Sequence, residues 1–159
     1  SICFVRSPII DYQPDVPVDI VLALHACDTA TDEVIAQTVR WDAPMLICIP
    51  CCHHDLNHQI SSEVFRPVLR HGILKERLAD ILTDTFRALA LRIMGYRTDV
   101  IEFISSEHTA RNLMIRAIKS TEPGQASFIR EYKELKSFWQ VTPHIERLLG
   151  PSFTALLQE

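Results

Sequence analysis

Two short apolar runs, Ile20–Leu24 and Met45–Ile49, flank an amphipathic stretch, and each run breaks into a polar cluster rich in His, Cys and Asp. Residues 31–39 place Val34, Ile35 and Val39 on one helical face, so strand, helix and strand follow one another as a βαβ crossover. Such a crossover is right-handed, leaves its two strands parallel and brings their C-terminal ends to one edge of the sheet. The first break, His25, Ala26, Cys27 and Asp28, and the second, Pro50, Cys51, Cys52, His53 and His54, should therefore face one crevice. Open α/β sheets bind ligands at that edge. Because both runs are continuously apolar, the strands are expected to be covered by helices on both faces. Thr29 and Thr31 are candidate caps for the helix, with Asp32 and Glu33 in its first turn, where the dipole favours negative charge.

The remaining pattern continues the α/β theme. Residues 2–5 form a short apolar run ahead of Ser7 and Pro8 and read as a strand leaving the sheet, and the two prolines of residues 13–17 mark a turn. Residues 55–72 have little periodicity and read as a loop with one or two short helical turns, a rim carrying His54, His58 and His71 in or beside it. Residues 73–94 carry the strongest helical pattern, with Ile73, Leu74, Leu78, Ile81, Leu82, Phe86, Leu89, Ile93 and Met94 recurring at steps of three and four as a stripe expected to pack on the sheet. Lys75, Arg77, Asp80, Asp84, Arg87 and Arg92 are assigned to the opposite, solvated face, and Gly95 to the C-cap. Residues 97–104 and 112–118 read as strands whose connection is too short for a parallel crossover, so they must be antiparallel neighbours. Helices over 127–138 and 143–149 follow, the second ended by Gly150 and Pro151, with a last packed segment around Phe153 and Leu156.

Composition narrows the classes. With 159 residues, 47% hydrophobic and 23% charged, one globular domain of ordinary core size is expected, neither disordered nor fibrous. The apolar runs are far too short to span a bilayer and the first residues lack a signal-peptide pattern, so no membrane association and a cytoplasmic location are expected. Five cysteines, two of them adjacent, do not make a secreted disulfide framework. Net charge is −4, and residues 1–64 hold two arginines against nine acids. That imbalance gives no support to binding nucleic acid by charge.

The segments LHACDTATD and PCCHH, together with GYRTDVIEFISSEHTARNLMIRAIK and the closing helices, resemble a methyltransferase-domain branch of the class I S-adenosylmethionine-dependent methyltransferases. The resemblance implies a Rossmann-like α/β sheet, mostly parallel with a late antiparallel hairpin. Such domains normally open with a strand and a glycine-rich loop, whereas Gly72, Gly95, Gly124 and Gly150 are all isolated. The N-terminal cofactor-binding strands are accordingly expected to be absent, and residues 1–159 to form the C-terminal portion of a methyltransferase domain. An exposed sheet edge on such a portion invites self-association.

By the same resemblance the cofactor is S-adenosylmethionine. Asp11 would lie beside its adenine, and His25, Ala26, Cys27 and Asp28 would line the place where the methyl group meets the acceptor. His25 and Asp28 are the candidate proton acceptors there, with His53 a further catalytic candidate. The plainer alternative has Asp28 capping the helix and His25 bonding a backbone carbonyl. Pro50, Cys51, Cys52, His53 and His54 are assigned to the substrate pocket. Cys and His are also zinc ligands, but adjacent ligands fit one tetrahedral ion awkwardly and no Cys-x-x-Cys pair is present, so no metal is expected. HACD has neither the prolines nor the aromatic residue common in base-amine methyltransferases, and the acceptor stays open among protein, RNA and small molecules. The competing function is a non-catalytic binding or scaffolding module on the same fold, stabilised by zinc.

Overall fold

The computed structural model describes residues 2–24, 26–102 and 113–158. Strand β1 (Ile20–Leu24), helix α1 (Thr29–Arg40) and strand β2 (Met45–Ile49) form the expected crossover, with β1 and β2 parallel and Ile20 opposite Met45. A short helix α2 (Arg66–Leu69) and the long helix α3 (Gly72–Ile93) lead to β3 (Tyr96–Glu102) and β4 (Leu113–Lys119). Helices α4 (Ala126–Trp139) and α5 (His144–Gln158) complete the described chain, α5 being two helical pieces that meet at Gly150, whose φ is 71°. Residues 55–72 do hold short helical turns, at Leu56–His58 and in α2.

The sheet runs β1-β2-β4-β3. Strands β3 and β4 pair antiparallel as their short connection required, and β4 also pairs antiparallel with β2. Three strands thus share one direction and β4 alone runs against them as the late antiparallel hairpin, so the described sheet has one parallel pairing and two antiparallel ones, both made by β4. Residues 104 and 112, assigned to these strands from sequence, lie outside the described residues.

Both crossovers, β1 to β2 and β2 to β3, step across the sheet in the same sense, and right-handedness therefore places α1 and α3 on one face. Helix α5 packs on α1 and α3, and α4 on α3, so the helices share that face. Its strand residues Ala23, Leu46, Cys48, Ile115 and Ala117 are buried against Ile35, Phe86, Leu89, Ala90 and Ile93. Tyr132 joins the layers, with ring centroids 5.2 Å from Phe86 and 5.4 Å from Phe153. Lys136 Nζ donates to both carboxylate oxygens of Glu146, at 2.7 and 2.8 Å, and ties α4 to α5.

The opposite face corrects an expectation. Ile20, Leu22 and Leu24 are 53, 65 and 63% exposed, and among the described residues no helix covers them. Continuous apolarity records that both faces of β1 avoid charge; it cannot show what covers them. Residues 2–5 form no strand and are exposed, since an extended run becomes a strand only where it finds an edge to pair with. Within α3, Leu82, Phe86, Leu89 and Ile93 face the core as expected, whereas Ile73, Leu74 and Ile81 are exposed. Asp84 and Arg87, assigned to the solvated face, are buried at 5 and 0% exposure. Gly95 sits at φ 92° with its Cα against the Thr121 carbonyl, where a Cβ would come within 2.3 Å of that oxygen.

Candidate active-site edge

The parallel pairing of β1 and β2 carries both polar clusters to one edge, and backbone bonds join them there. Asp28 N–H donates to Cys52 O at 3.1 Å. In return the Asp28 carboxylate accepts from two amides of the second loop, His54 N–H at 2.9 Å and Asp55 N–H at 3.2 Å, both on Oδ1. The aspartate therefore cross-ties two loops and does not cap α1 with its side chain, although it occupies the N-cap position. Its backbone, φ 50° and ψ −122°, is a conformation that glycine adopts freely and other residues do not. Strain of this kind persists only where the surroundings over-determine it, and it gathers at functional sites. Thr31, expected as a cap, instead donates from Oγ1 to Ala26 O at 2.6 Å and fixes the start of the first loop.

Below the loops lies an ion network that crosses four elements. The Arg87 side chain, from the middle of α3, donates through Nε and Nη2 to the two carboxylate oxygens of Asp32 on α1, at 2.8 and 2.9 Å. The same Nη2 reaches Asp28 O at 2.6 Å, and Nη1 reaches Asp84 Oδ1 at 3.2 Å. His53 completes the network. Its Nε2 bonds Asp84 Oδ1 at 2.8 Å, and its Nδ1 lies 3.0 Å from Asp80 Oδ1, an ion-pair contact without hydrogen-bond alignment. Burial on its own would push the His53 pKa down, but Asp80 and Asp84 outweigh it and hold the imidazole above its ordinary value. Burial likewise opposes the charge on Arg87, and Asp32 and Asp84 more than restore it.

Three sulfurs lie above this network. Cys27 Sγ is 2.6 Å from Cys51 Sγ, and Cys51 Sγ is 3.8 Å from Cys52 Sγ. Cys27 is exposed, while Cys51 and Cys52 are half-buried. The Cys27 thiol, then burial and Cys52, push the Cys51 thiol up to about 12. Cys48, one strand residue away from the edge, is raised to about 12 by burial and faces the core.

The sequence-predicted residues thus separate into groups. Ala26, Cys27, Asp28, Cys51, Cys52 and His54 meet at the loop edge, and Pro50 is buried beside them. His25 lies outside the described residues. His53 is only 5% exposed and both ring nitrogens face carboxylates, so it belongs to the layer beneath the edge. Asp11 is elsewhere: Gln37 donates to the carbonyls of Ile9, Ile10 and Tyr12, which holds this turn about 12 Å along α1 from Thr29 at 1.5 Å per residue. Asp32, Asp80, Asp84 and Arg87 were not recognised from sequence as part of the site. A signal was present, because residues 80, 84 and 87 at steps of four and three make one helical stripe.

Concavity is modest at this edge. A cavity of about 10 Å³, room for about one water, lies between Asp28, Asp32, Asp55 and Thr83. A groove of about 500 Å³ lined by Arg92, Tyr96, Arg97, Asp99 and Phe128 lies at the opposite edge, where β3 begins.

Comparison with known proteins bears on this edge directly. Residues 4–59 match the family model of a methyltransferase domain. The methyltransferase-domain match spans β1, α1 and β2 together with both loops, and so contains the LHACDTATD and PCCHH segments. Neither the search of curated proteins nor that of solved structures returns a match. Among the described residues, no helix is long and apolar enough to cross a membrane.

Proposed function

We propose that this chain supplies the acceptor side of a class I S-adenosylmethionine-dependent methyltransferase acting in the cytoplasm, as the C-terminal portion of its domain. One observation carries the reading: the methyltransferase-domain match coincides with the crossover whose two loops are tied together at the ligand-binding edge of a parallel strand pair. The reversed β4 between β2 and β3 supports it, as the late hairpin expected of a class I sheet.

The residues at the edge fit one wall of a cofactor site. Ala26 and Cys27 would border it, on a loop whose backbone is pinned by Thr31 and Asp28. S-adenosylmethionine would supply the electrophilic methyl group. The acceptor would approach from the second loop, over Cys51, Cys52 and His54. Asp28 uses Oδ1 for both amide bonds, and Oδ2 would take an acceptor N–H or O–H, with His25 three residues before it in sequence. Both ring nitrogens of His53 already face carboxylates, so its role is to hold the second loop in place.

The test is a pair of measurements on the complete protein: calorimetric titration with S-adenosylmethionine, and transfer of labelled methyl groups to protein, RNA and small-molecule fractions. Cofactor binding with transfer to one fraction, lost in Asp28→Ala with binding retained, is the expected outcome. Partner capture without cofactor binding or transfer would replace this reading with the binding-module one.

A further inference from the structure

The geometry points to a thiolate metal site formed by Cys27, Cys51 and Cys52, which takes a thiophilic d10 cation of the Zn²⁺ class. The three sulfur atoms all lie within 4.8 Å of one another. A tetrahedral zinc with Zn–S bonds of about 2.3 Å sets its sulfurs about 3.8 Å apart, and Cys51 and Cys52 already stand at 3.8 Å. Cys27 lies closer to Cys51, at 2.6 Å, inside the contact distance of two sulfur atoms. A bridging cation would relieve this by drawing the pair apart to tetrahedral spacing.

The difficulty with adjacent ligands, evident in the sequence, is answered by topology. Two neighbouring cysteines need not grip an ion alone, because the parallel crossover delivers a third sulfur from the other loop. The scaffold is also assembled without the metal. Asp28 bonds Cys52 O, His54 N–H and Asp55 N–H, so the two loops are held together by groups other than the thiols. Such preorganisation spares a metal the cost of ordering its own ligands. Access is open, since Cys27 is exposed and the other two are half-buried, and three protein ligands leave a fourth position for water or an incoming donor. Soft thiolates select zinc and Cu(I) over magnesium or calcium. Each ligating thiol gives up its proton, so binding releases protons and strengthens with pH. The assignment shares its three cysteines with the methyl-transfer reading but does not depend on it, and its test involves no methyl transfer.

The complete protein, reduced and stripped with a chelator, is titrated with Zn²⁺ against a chromophoric competitor and then with Cd²⁺, whose thiolate charge-transfer absorbance reports sulfur ligation directly. One equivalent of each metal, with the charge-transfer band, is expected. Loss of a direct ligand should exceed the 10- to 100-fold that loss of an outer partner causes, so Cys27→Ser and Cys51→Ser should each weaken zinc at least about 100-fold. Cys48→Ala and Cys3→Ser should leave it unchanged, and circular dichroism confirms that each variant is folded. Absence of stoichiometric binding, or binding that survives Cys27→Ser in a folded variant, would overturn the site. So would a metal-free chain, purified without reductant, in which peptide mapping finds Cys27 and Cys51 joined as a disulfide.

Discussion

Replacing Arg87 by Met keeps most of the side-chain volume and removes the charge. In the parent the guanidinium is fully buried, and it satisfies Asp32, 3% exposed, Asp84, 5% exposed, and the Asp28 carbonyl. Methionine leaves the Asp32 carboxylate buried without its partner and Asp84 with His53 alone. Breaking a buried pair by removing one partner costs about 3–5 kcal/mol, so Arg87→Met should lose about 4 kcal/mol, a large share of the about 5–15 kcal/mol that holds a typical domain. Most of that cost is the stranded carboxylate. Arg87→Met combined with Asp32→Leu removes both partners and should recover more than half of the loss, because apolar replacement of a whole buried pair is close to neutral. Urea unfolding followed through Trp41 and Trp139 fluorescence measures both variants, with equal m-values as the condition for comparison. A single variant losing under about 1 kcal/mol, or a double variant no more stable than the single, would refute the view that this network is a strongly coupled buried charge cluster.

Two further perturbations probe the loops. The His53 pKa is raised in the fold above its ordinary value of about 6.5, so its ion pairs contribute fully below that pH and are lost as pH rises through the folded value. His53→Gln should therefore narrow its deficit against the parent as pH is raised, in urea melts between about pH 5.5 and 9, and a deficit constant across that range would count against a protonated His53. At Asp28, the three variants should fall in order: Asn, which keeps an acceptor oxygen, losing about 1 kcal/mol or less, Gly losing more, and Ala losing about 2 kcal/mol or more, since only Gly relieves the positive φ. Equal losses for Gly and Ala would remove backbone strain from the account.

The crossover and the hairpin were legible in the sequence for different reasons. Ile20–Leu24 and Met45–Ile49 declare themselves by apolar runs bounded by turn residues, and the hairpin by a connection too short for any parallel return. The meeting of the two loops followed from handedness alone. Asp84 and Arg87 were misplaced because helical periodicity sorts residues into apolar and polar faces and treats the polar one as wet. Whether a charged face meets water or a matching charge depends on a residue such as Asp32, 55 positions from Arg87, and no local pattern encodes that meeting. The bare face of β1 was missed for the converse reason, since Ile20, Leu22 and Leu24 look the same whether or not another layer covers them.

The place of β4 in the sheet also dictates the order in which the molecule can be built. This strand is the last of the described sheet in sequence, yet it occupies the slot between β2 and β3 and is the sole bridge between them. Until Leu113–Lys119 has emerged from the ribosome, β1 and β2 form one ribbon and β3 a lone strand, each with an open ladder of backbone groups. The buried layer under Ile115 and Ala117 cannot close before then. Folding during synthesis is therefore a late event driven by contacts distant in sequence, and a nascent chain halted before residue 113 would present two unsatisfied strand edges to whatever binds such edges in the cell.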